Sequence, residues 1–283
     1  MRAFEYREPT CLDQLVALRA EFGARAKLLA GGTDLLLQME ARKHTPAVVI
    51  AMNRVPELRG VTTTDGATII GAMATLREVE TSAVILRKFP FLAYSAGQIG
   101  SVQVRNLATL VGNLTNAAPS ADAVPALYVA RATVCILGAR GERTVPVEAV
   151  MTGPGQTSLT DDELVVSLTL PDPPPGFAGV YLKHSIRMAM DLAFVGVAVS
   201  VVTTNGRLDD AQVALCAVAP TVIHAESAEA VLRGQPPTPE ILEQAATAAA
   251  VEARPISDLR ASAEYRRELV AALTRKALRQ LTA

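Results

Sequence analysis

Apolar and polar positions alternate along the first half of the chain in short runs that glycine turns separate. Leucine and valine at helical spacing predict an amphipathic helix between Thr10 and Gly23, with Thr10 and Asp13 spaced as a capping box. The run KLLA at 27–30 predicts a buried strand, which the Gly-Gly pair that follows it breaks. Residues 34–39 can begin a helix or a second extended segment.

Later runs before the middle of the chain predict a hairpin, further strands and a helix. The β-branched runs on either side of Asp65 and Gly66 predict a hairpin, because this dipeptide suits a two-residue turn. The remaining predictions are a capping box at Thr75 and Glu78, strands at 48–51, 132–137 and 164–170, and a helix at 120–130 with Ser120 or Asp122 near its start.

The segment 106–119 has a different composition from the rest of the chain. It contains three asparagines, two threonines and one glycine, with no charge and little amphipathic period. Such a segment is either an exposed loop or one whose polar groups are occupied by a ligand.

A proline cluster divides the chain. The sequence PDPPPG at 171–176 interrupts helices and central strands, so we expect a linker there. Beyond it, strands followed by helices predict an α+β unit. The predicted strands are 180–183, 194–202 and 211–218, and the predicted helices are 225–232, 239–252 and 263–281.

Composition and charge exclude several classes of protein. The 283 residues are 50% hydrophobic and 19% charged, which excludes a mainly disordered chain. A formal net charge of -1 gives no overall attraction to nucleic acid or to an anionic membrane. No apolar run approaches the roughly 18 residues of a membrane span, and the N-terminus has no apolar signal region, so we expect a cytoplasmic protein.

The side chains that commonly bind metals are few and scattered. Three cysteines lie far apart without a CxxC pair, which excludes a cluster held by four thiolates of this chain and argues against a disulfide framework. Three histidines have no zinc-ligand spacing. With no tryptophan and 4% aromatics, stacking platforms for single-stranded nucleic acid are also poorly supplied.

Two segments are candidates for binding a cofactor. In AGGTDLL the two glycines allow close approach of a ligand, and successive N–H groups can hold a diphosphate without lysines. The motif is neither GxGxxG nor GxxxxGK[ST], and taken alone it fits an ordinary turn between strands just as well. For QVRNLATLVGNLTNAAPSAD at 103–122, composition alone favours an Asn-rich surface loop.

The two segments together resemble the flavin-binding signatures of a known family. AGGTDLLLQM at 30–39 and QVRNLATLVGNLTNAAPSADAVPAL at 103–127 are similar to the FAD-binding medium subunits of molybdenum hydroxylases, which include those of xanthine dehydrogenase and carbon monoxide dehydrogenase. GPGQTSLTDDELVVSLTLP at 153–171 and YLKHSIRMAMDLAFVGVAVSV at 181–201 match in the same order. The resemblance therefore covers nearly the whole chain.

The resemblance implies a fold and a division into domains. The fold is α+β, with an FAD-binding domain of the vanillyl-alcohol oxidase and para-cresol methylhydroxylase type. This domain would span 1–175, as two subdomains of about 1–55 and 56–175. A smaller domain at 176–283, an antiparallel sheet with helices, would resemble the C-terminal domain of carbon monoxide dehydrogenase flavoprotein.

The resemblance also assigns residues to FAD. The backbone of 28–35 would wrap the diphosphate, with hydrogen bonds near Thr33 and Asp34, and two residues at 99–100 would flank the adenine end. A second loop at 109–116 would contact the flavin, and Asp122 would accept from a ribose hydroxyl. The matched residues are Leu28, Leu29, Ala30, Gly31, Gly32, Thr33, Asp34, Leu35, Ile99, Gly100, Thr109, Leu110, Val111, Gly112, Asn113, Asn116, Ala121, Asp122, Val165 and Lys183.

Ordinary structural roles remain open for some of these residues. The leucines at 28, 29 and 35 serve a core as readily as a ligand, Val165 reads as a strand valine, and Lys183 reads as a solvated lysine at a sheet edge. By resemblance, Val165 and Lys183 would instead lie near the isoalloxazine ring. The chain also departs from the family at Val111, where a glycine is usual, so we expect a β-branched side chain close to FAD. Neither loop contains a histidine for a covalent flavin link.

The implied function is that of an electron-transfer subunit. In the family, electrons pass from a large molybdopterin-binding subunit through two 2Fe-2S clusters of a small subunit to FAD, and then to an external acceptor. These subunits would form a dimer of heterotrimers. Two alternatives stay open: a flavin-free structural or assembly subunit with this fold, and a stand-alone flavin oxidase of a small alcohol, for which no acid/base pair is visible.

Overall fold

The computed structural model describes residues 1–283 and contains fourteen strands and eleven α-helices. The strands are β1 (Glu5–Arg7), β2 (Ala26–Leu29), β3 (Val48–Ala51), β4 (Val61–Thr64), β5 (Ala67–Gly71), β6 (Thr133–Gly138), β7 (Gly141–Pro146), β8 (Met151–Gly153), β9 (Gln156–Thr157), β10 (Leu164–Pro171), β11 (Phe177–His184), β12 (Val195–Thr204), β13 (Arg207–Cys216) and β14 (Ile223–His224). The helices are α1 (Leu12–Phe22), α2 (Leu35–Glu40), α3 (Leu76–Thr81), α4 (Ala83–Lys88), α5 (Pro90–Gly97), α6 (Val102–Arg105), α7 (Leu110–Thr115), α8 (Val124–Val129), α9 (Glu226–Leu232), α10 (Pro239–Glu252) and α11 (Ala263–Thr282). Short 3₁₀ turns occupy Gly23–Arg25, Pro56–Leu58 and Val147–Ala149.

A small parallel sheet begins the chain, with strand order β1-β3-β2. The central strand β3 is apolar at every position and buried throughout, as expected for a parallel strand covered on both faces. Helix α1 precedes β2 and buries Leu15 completely. Strand β2, which the Gly-Gly pair follows, is thus an edge strand of this sheet.

A second, antiparallel sheet has the order β4-β5-β10-β6-β7. Strand β6 alternates between buried and half-buried positions, so one of its faces is turned to the main hydrophobic core. That core also holds apolar side chains of α3, α5, α7 and α8. The helices between β5 and β6 therefore share this core: α7 contacts β10 of the sheet, whereas α5 and α8 pack against strands β11–β13.

A third sheet, β11-β12-β13-β14, is antiparallel and is buried on both faces. Alternate residues of β12 separate two cores: Val197 and Val199 pack with α9, α10 and α11, whereas Ala198 joins the core of the first unit. On that same face the Ser200 hydroxyl donates to the Val129 carbonyl at 2.9 Å. The C-terminal unit is consequently packed against the first unit through one whole face of its sheet.

The predicted α+β architecture is confirmed, and most of the predicted elements are present. The hairpin is β4–β5, and Thr75 and Glu78 form the predicted capping box at α3. The strands after the proline cluster alternate with turns and are followed by α9, α10 and α11 as predicted. The chain between β10 and β11, residues 172–176, contains three of the four clustered prolines.

Three local predictions are wrong. The first helix begins after Cys11 with no side-chain cap, because the Thr10 hydroxyl donates to Gln14 instead of accepting an amide. Neither Ser120 nor Asp122 caps α8, whose preceding residue is Ala123. The segment 106–119 is not a continuous loop, since it contains α7, capped by the side chain of Thr109.

Candidate cofactor site

The first candidate loop, 30–34, connects β2 to α2. None of the amides of residues 31–34 donates to a backbone carbonyl, so four successive N–H groups are available to a ligand. Gly32 has a φ of +73°, a conformation that L side chains rarely adopt. Asp34 precedes α2 without forming a side-chain cap, and its side chain is exposed. The loop has the free donors that an anion-binding backbone requires.

Gly31 joins the first loop to the segment that leads into the second. A β-carbon at this position would lie 2.0 Å from the Leu107 carbonyl oxygen and 2.8 Å from the Ala108 Cα. Both contacts are to backbone, which cannot move aside as a side chain can. Gly31 is therefore required by the packing of the two segments, in addition to any approach of a ligand.

The second candidate loop is built around the start of α7. The Thr109 hydroxyl accepts from the Gly112 amide at 2.9 Å, and a β-carbon at position 112 would lie 2.8 Å from that hydroxyl oxygen. Val111 is buried in the main core, with 6% of its surface exposed. The helix turns the Val111 side chain toward this core, and its expected place beside FAD stays a prediction.

The side-chain amides of Asn113 and Asn116 differ in their hydrogen bonding. Asn116 accepts from Gln38 Nε2 at 3.1 Å, which ties the end of α7 to α2 of the first loop. Asn113 Oδ1, by contrast, is buried and has no hydrogen-bond partner. A buried acceptor left unpaired costs about 1–3 kcal/mol, so its presence points to a donor supplied by a ligand.

A turn at 98–100 follows α5 and lies between the two loops and the C-terminal unit. Gly100 has a φ of +55°, and a β-carbon there would lie 2.9 Å from Val104 Cγ1. Lys183 Nζ donates to the Gln98 carbonyl at 3.4 Å. The residues at 99–100 that the sequence predicted thus lie next to the segment that carries the second loop.

Asp122 and Lys183 form a buried ion pair between the two units. Lys183 Nζ lies 2.9 Å from Asp122 Oδ2, and the two side chains are 6% and 7% exposed. The Tyr181 hydroxyl donates to Asp122 Oδ1 at 2.7 Å. Burial raises the pKa of Asp122, and the Lys183 ammonium and the Tyr181 hydroxyl only partly offset this effect. The alternative of a solvated sheet-edge lysine is wrong, although β11 is an edge strand.

The same network extends away from the candidate site. The Tyr181 hydroxyl lies 3.9 Å from Cys216 Sγ, and burial raises the pKa of that thiol to about 12. A β-carbon on Gly196 would lie within 2.6 Å of both groups. Lys183 Nζ also donates to the Asp191 carbonyl at 2.8 Å. The Asp122 carboxylate thus accepts from Tyr181 on one oxygen and from Lys183 on the other. Its expected contact with a ribose hydroxyl stays a prediction.

Two of the predicted residues stand apart by burial: Asp34 is exposed, and Lys183 is half-buried as a residue although its side chain is buried. The other eighteen divide into two groups. The first group is half-buried, in or next to the two loops and the turn, and it comprises Leu28, Leu29, Ala30, Gly31, Gly32, Thr33, Leu35, Ile99, Gly100, Gly112, Asn113 and Asn116. The second group is buried in protein contacts, and it comprises Thr109, Leu110, Val111, Ala121, Asp122 and Val165. Val165 lies in β10, opposite Ile136 of β6, and is distant in sequence from both loops.

Three residues of the site have no clear signal in the sequence: Gln38, Arg105 and Tyr181. Arg105 is 7% exposed and lies immediately before the charge-free segment, which was the available signal. Gln38 and Tyr181 lie in the family-like motifs at 30–39 and 181–201, but their partners are distant in sequence. Only the tertiary fold brings these pairs together.

These observations fit the diphosphate and amide groups of a dinucleotide cofactor. Free amides on the first loop, the unpaired Asn113 oxygen and the glycine contact between the loops all occur in one region. A scan of family models then matches residues 2–173 to the FAD binding domain in molybdopterin dehydrogenase. Residues 180–281 match the CO dehydrogenase flavoprotein C-terminal domain. The chain belongs to the FAD-binding medium subunits of molybdenum hydroxylases.

Individual relatives of this medium subunit agree over almost their full length. It is 33% identical to the putative xanthine dehydrogenase FAD-binding subunit of Escherichia coli K12, covering 98% of this chain and 96% of that one. It is 34% identical to the carbon monoxide dehydrogenase medium chain of Hydrogenophaga pseudoflava, covering 97% and 96%. The solved structure of the Hydrogenophaga pseudoflava carbon monoxide dehydrogenase superposes with a TM-score of 0.95 at 34% identity, covering 98% and 96%.

The family assigns the cofactor and the class of chemistry. The medium subunit takes FAD and is an oxidoreductase component, as predicted. No group of three or more His, Cys, Asp or Glu side chains is arranged to hold a metal ion. None of the helices combines the length and the apolar character needed to cross a bilayer.

Proposed function

We propose that this medium subunit transfers electrons from the 2Fe-2S clusters of a small subunit to an external acceptor. Its partners are that small subunit and a large molybdopterin-binding subunit, arranged as a dimer of heterotrimers in the cytoplasm. When bound, FAD accepts electrons singly and releases them as a pair, which suits a junction between clusters and a two-electron acceptor. The observation that carries the proposal is the buried Asn113 oxygen without a partner, on the loop that packs against the loop with the free amides of 31–34.

The loops of this chain bind and orient the cofactor. The amides of 31–34 donate to the diphosphate, and Gly32 provides the positive φ that turns them toward it. The Asn113 oxygen accepts from an N–H or O–H group of the cofactor. The Gln38 to Asn116 hydrogen bond keeps the two loops at a fixed spacing. The remaining residues that the resemblance assigned to FAD are included in this proposal.

The two units divide this work. We assign residues 1–175, with subdomains of about 1–55 and 56–175, to FAD binding, and residues 176–283 to the C-terminal domain. The C-terminal domain contributes Lys183, whose ammonium lies 2.9 Å from Asp122 at the boundary. This ion pair joins the two units at the boundary, and the Asp122 carboxylate offsets the charge of the ammonium.

The first experiment is the visible spectrum of the gently purified chain, with and without added FAD. Mass spectrometry of the small molecule released on denaturation identifies the bound flavin. We expect noncovalent FAD, and a dithionite titration is expected to bleach its absorption fully in the isolated chain. A folded chain that binds no FAD in excess would overturn the proposal and favour the flavin-free structural subunit.

The second experiment tests the partners. The tagged chain is purified from its native cells under mild conditions, and the complex is analysed for molybdenum, iron and acid-labile sulfide. We expect molybdenum and two 2Fe-2S clusters for each FAD, and oxidation of organic substrate only by the complex. Substrate oxidation by the isolated chain would favour a stand-alone flavin oxidase instead.

A further inference from the structure

Arg105 occupies a buried position between α3 and the turn at 98–100. Its guanidinium donates from Nε to Glu80 Oε2 at 2.9 Å and from Nη2 to Glu80 Oε1 at 3.3 Å. The Arg105 side chain is 9% exposed and that of Glu80 is 22% exposed. This bidentate pair fixes the orientation of the planar guanidinium, because two of its nitrogens are bonded to the two oxygens of one carboxylate.

The remaining nitrogen of Arg105 is directed at the turn. Nη1 donates to the Ile99 carbonyl at 3.0 Å and to the Gly100 carbonyl at 3.4 Å. Together with the bond from Lys183 to Gln98, three successive carbonyls of the turn accept from cationic side chains. The amides of Gly100 and Ser101, by contrast, donate to no backbone carbonyl. The amides of Gln98 and Ile99 donate to the Ser95 and Ala96 carbonyls, so the amides left without a backbone acceptor are those of Gly100 and Ser101.

Arg105 also connects this turn to the two loops. It is the last residue of α6, and the amides of Leu107 and Ala108 donate back to the Val104 carbonyl. The backbone of Leu107 and Ala108 is the surface on which Gly31 packs. One side chain thus fixes the turn relative to the segment that joins both loops.

We propose that Arg105 is a positioning residue for the adenine half of FAD, acting through the carbonyls of Ile99 and Gly100. This inference rests on the proposed function, in which the turn flanks the adenine. Glu80 holds Arg105 in place, and Arg77, whose Nη1 lies 3.0 Å from Glu80 Oε2, shares the same carboxylate from an exposed position. Arg77 makes no hydrogen bond to the turn, so it provides a matched control.

The test compares three ligands with the deflavinated full chain. FAD contains both halves, FMN lacks the AMP unit, which is the adenosine with its phosphate, and ADP contains the adenine half with a diphosphate. Flavin fluorescence gives the dissociation constants of FAD and FMN, and competition with FAD gives that of ADP. We expect Arg105→Met to weaken FAD and ADP at least tenfold and to change FMN less than twofold. Arg105→Lys should fall between Arg105→Met and the wild type.

Two further variants complete the test. Arg77→Met should leave all three constants within twofold of the wild type, because the turn keeps its hydrogen bonds. Gly100→Ala disturbs the turn directly without removing Arg105, and it should also weaken FAD and ADP while sparing FMN. This variant keeps the proposal testable if Arg105→Met does not fold.

The outcomes separate this inference from the proposed function. A wild-type chain that binds FAD, with an Arg105→Met variant that loses FMN as strongly as FAD, would overturn the positioning role alone. Unchanged FAD and ADP binding in a folded Arg105→Met variant would overturn it as well. A wild-type chain that binds no flavin would overturn the proposed function, and this inference with it.

Discussion

Gly31 lies directly against the backbone of Leu107, so closely that a β-carbon on Gly31 would come within 2.0 Å of the Leu107 carbonyl oxygen. The contact joins the loop after β2 to the segment before α7. A Gly-Gly pair after a strand is usually explained by a turn or by a ligand. Here the first glycine is needed for loop-to-loop packing, and the second, with its positive φ, shapes the chain.

The contact predicts the effect of the smallest possible substitution. Gly31→Ala should separate the two loops, lower FAD affinity about tenfold or more, and destabilise the chain by about 1–3 kcal/mol through overpacking. Isothermal calorimetry with FAD and urea unfolding measure the two effects. Gly153→Ala is the control, since its β-carbon would meet only the flexible end of Gln156 at 3.1 Å. Full FAD affinity in Gly31→Ala would contradict the shared packing of the loops.

The unpaired oxygen of Asn113 predicts that its removal affects FAD binding but not the stability of the apoprotein. Asn113→Leu should weaken FAD by about 1–3 kcal/mol through the lost hydrogen bond, without lowering apoprotein stability, because the replaced acceptor has no partner in the protein. Asn116→Leu is the comparison, since it breaks the bond with Gln38 and should cost the apoprotein about 1 kcal/mol. Urea unfolding of both apoproteins and FAD titrations measure these effects. Reduced apoprotein stability in Asn113→Leu alone would contradict the assignment.

The buried pair of Asp122 and Lys183 predicts a strong coupling between two substitutions. Lys183→Met should destabilise the flavin-free chain by about 3–5 kcal/mol, because it leaves a buried carboxylate without its cation. The substitution should also raise the pKa of Asp122 further, because in the wild type the charge of Lys183 opposes the effect of burial. Adding Asp122→Asn should recover most of the loss in a double-mutant cycle measured by urea unfolding. Strict additivity of the two substitutions would contradict the coupling.

His224 predicts a pH dependence of the boundary between the two units. Its Nδ1 lies 2.8 Å from Glu229 Oε1 and its Nε2 lies 3.2 Å from Glu148 Oε1, with the ring stacked on Tyr128. Burial alone would lower the pKa of His224, but the bonds to the two carboxylates outweigh it and raise the pKa from 6.5 to about 9. Because the folded-state pKa is the higher one, the stabilisation is fully present below pH 6.5 and is lost as the pH rises toward 9.

The raised pKa of His224 corresponds to a contribution of about 3 kcal/mol to the free energy of unfolding at low pH. Urea unfolding of the wild type and of His224→Gln at pH 6, 7.5 and 9.5 measures it, since other titrating groups cancel in the difference. We expect the advantage of the wild type to shrink steadily over this range. Parallel stability curves for the two proteins would contradict the charged state of His224.

Much of the fold could be predicted from local patterns. Strand β3 matches its predicted bounds, and the capping box of Thr75 and Glu78 forms as its spacing indicates. The capping box at Thr10 failed because Gln14 competes for the same hydroxyl. Helix α7 was missed because its amphipathic period is weak in six residues, and its cap at Thr109 is clear only once the helix is known.

Only part of the candidate site could be predicted from local patterns. The two loops stood out because glycines and uncharged amides in those segments are unusual, and the family resemblance supplied their ligand. The direction of Val111, inward to the core, depends on where α7 lies. Arg105 was missed because a buried arginine cannot be distinguished from an exposed one without its partner Glu80.

The sequence by itself determined many of the strands and helices, the glycine loops and the family, since each of these depends on patterns of residues along the chain. Only the tertiary structure decided which residues meet. Gly31 meets Leu107, Arg105 meets Glu80, and Lys183 meets Asp122 across long separations in sequence. The physical reason is that burial and charge pairing depend on distances in space, which local spacing does not specify.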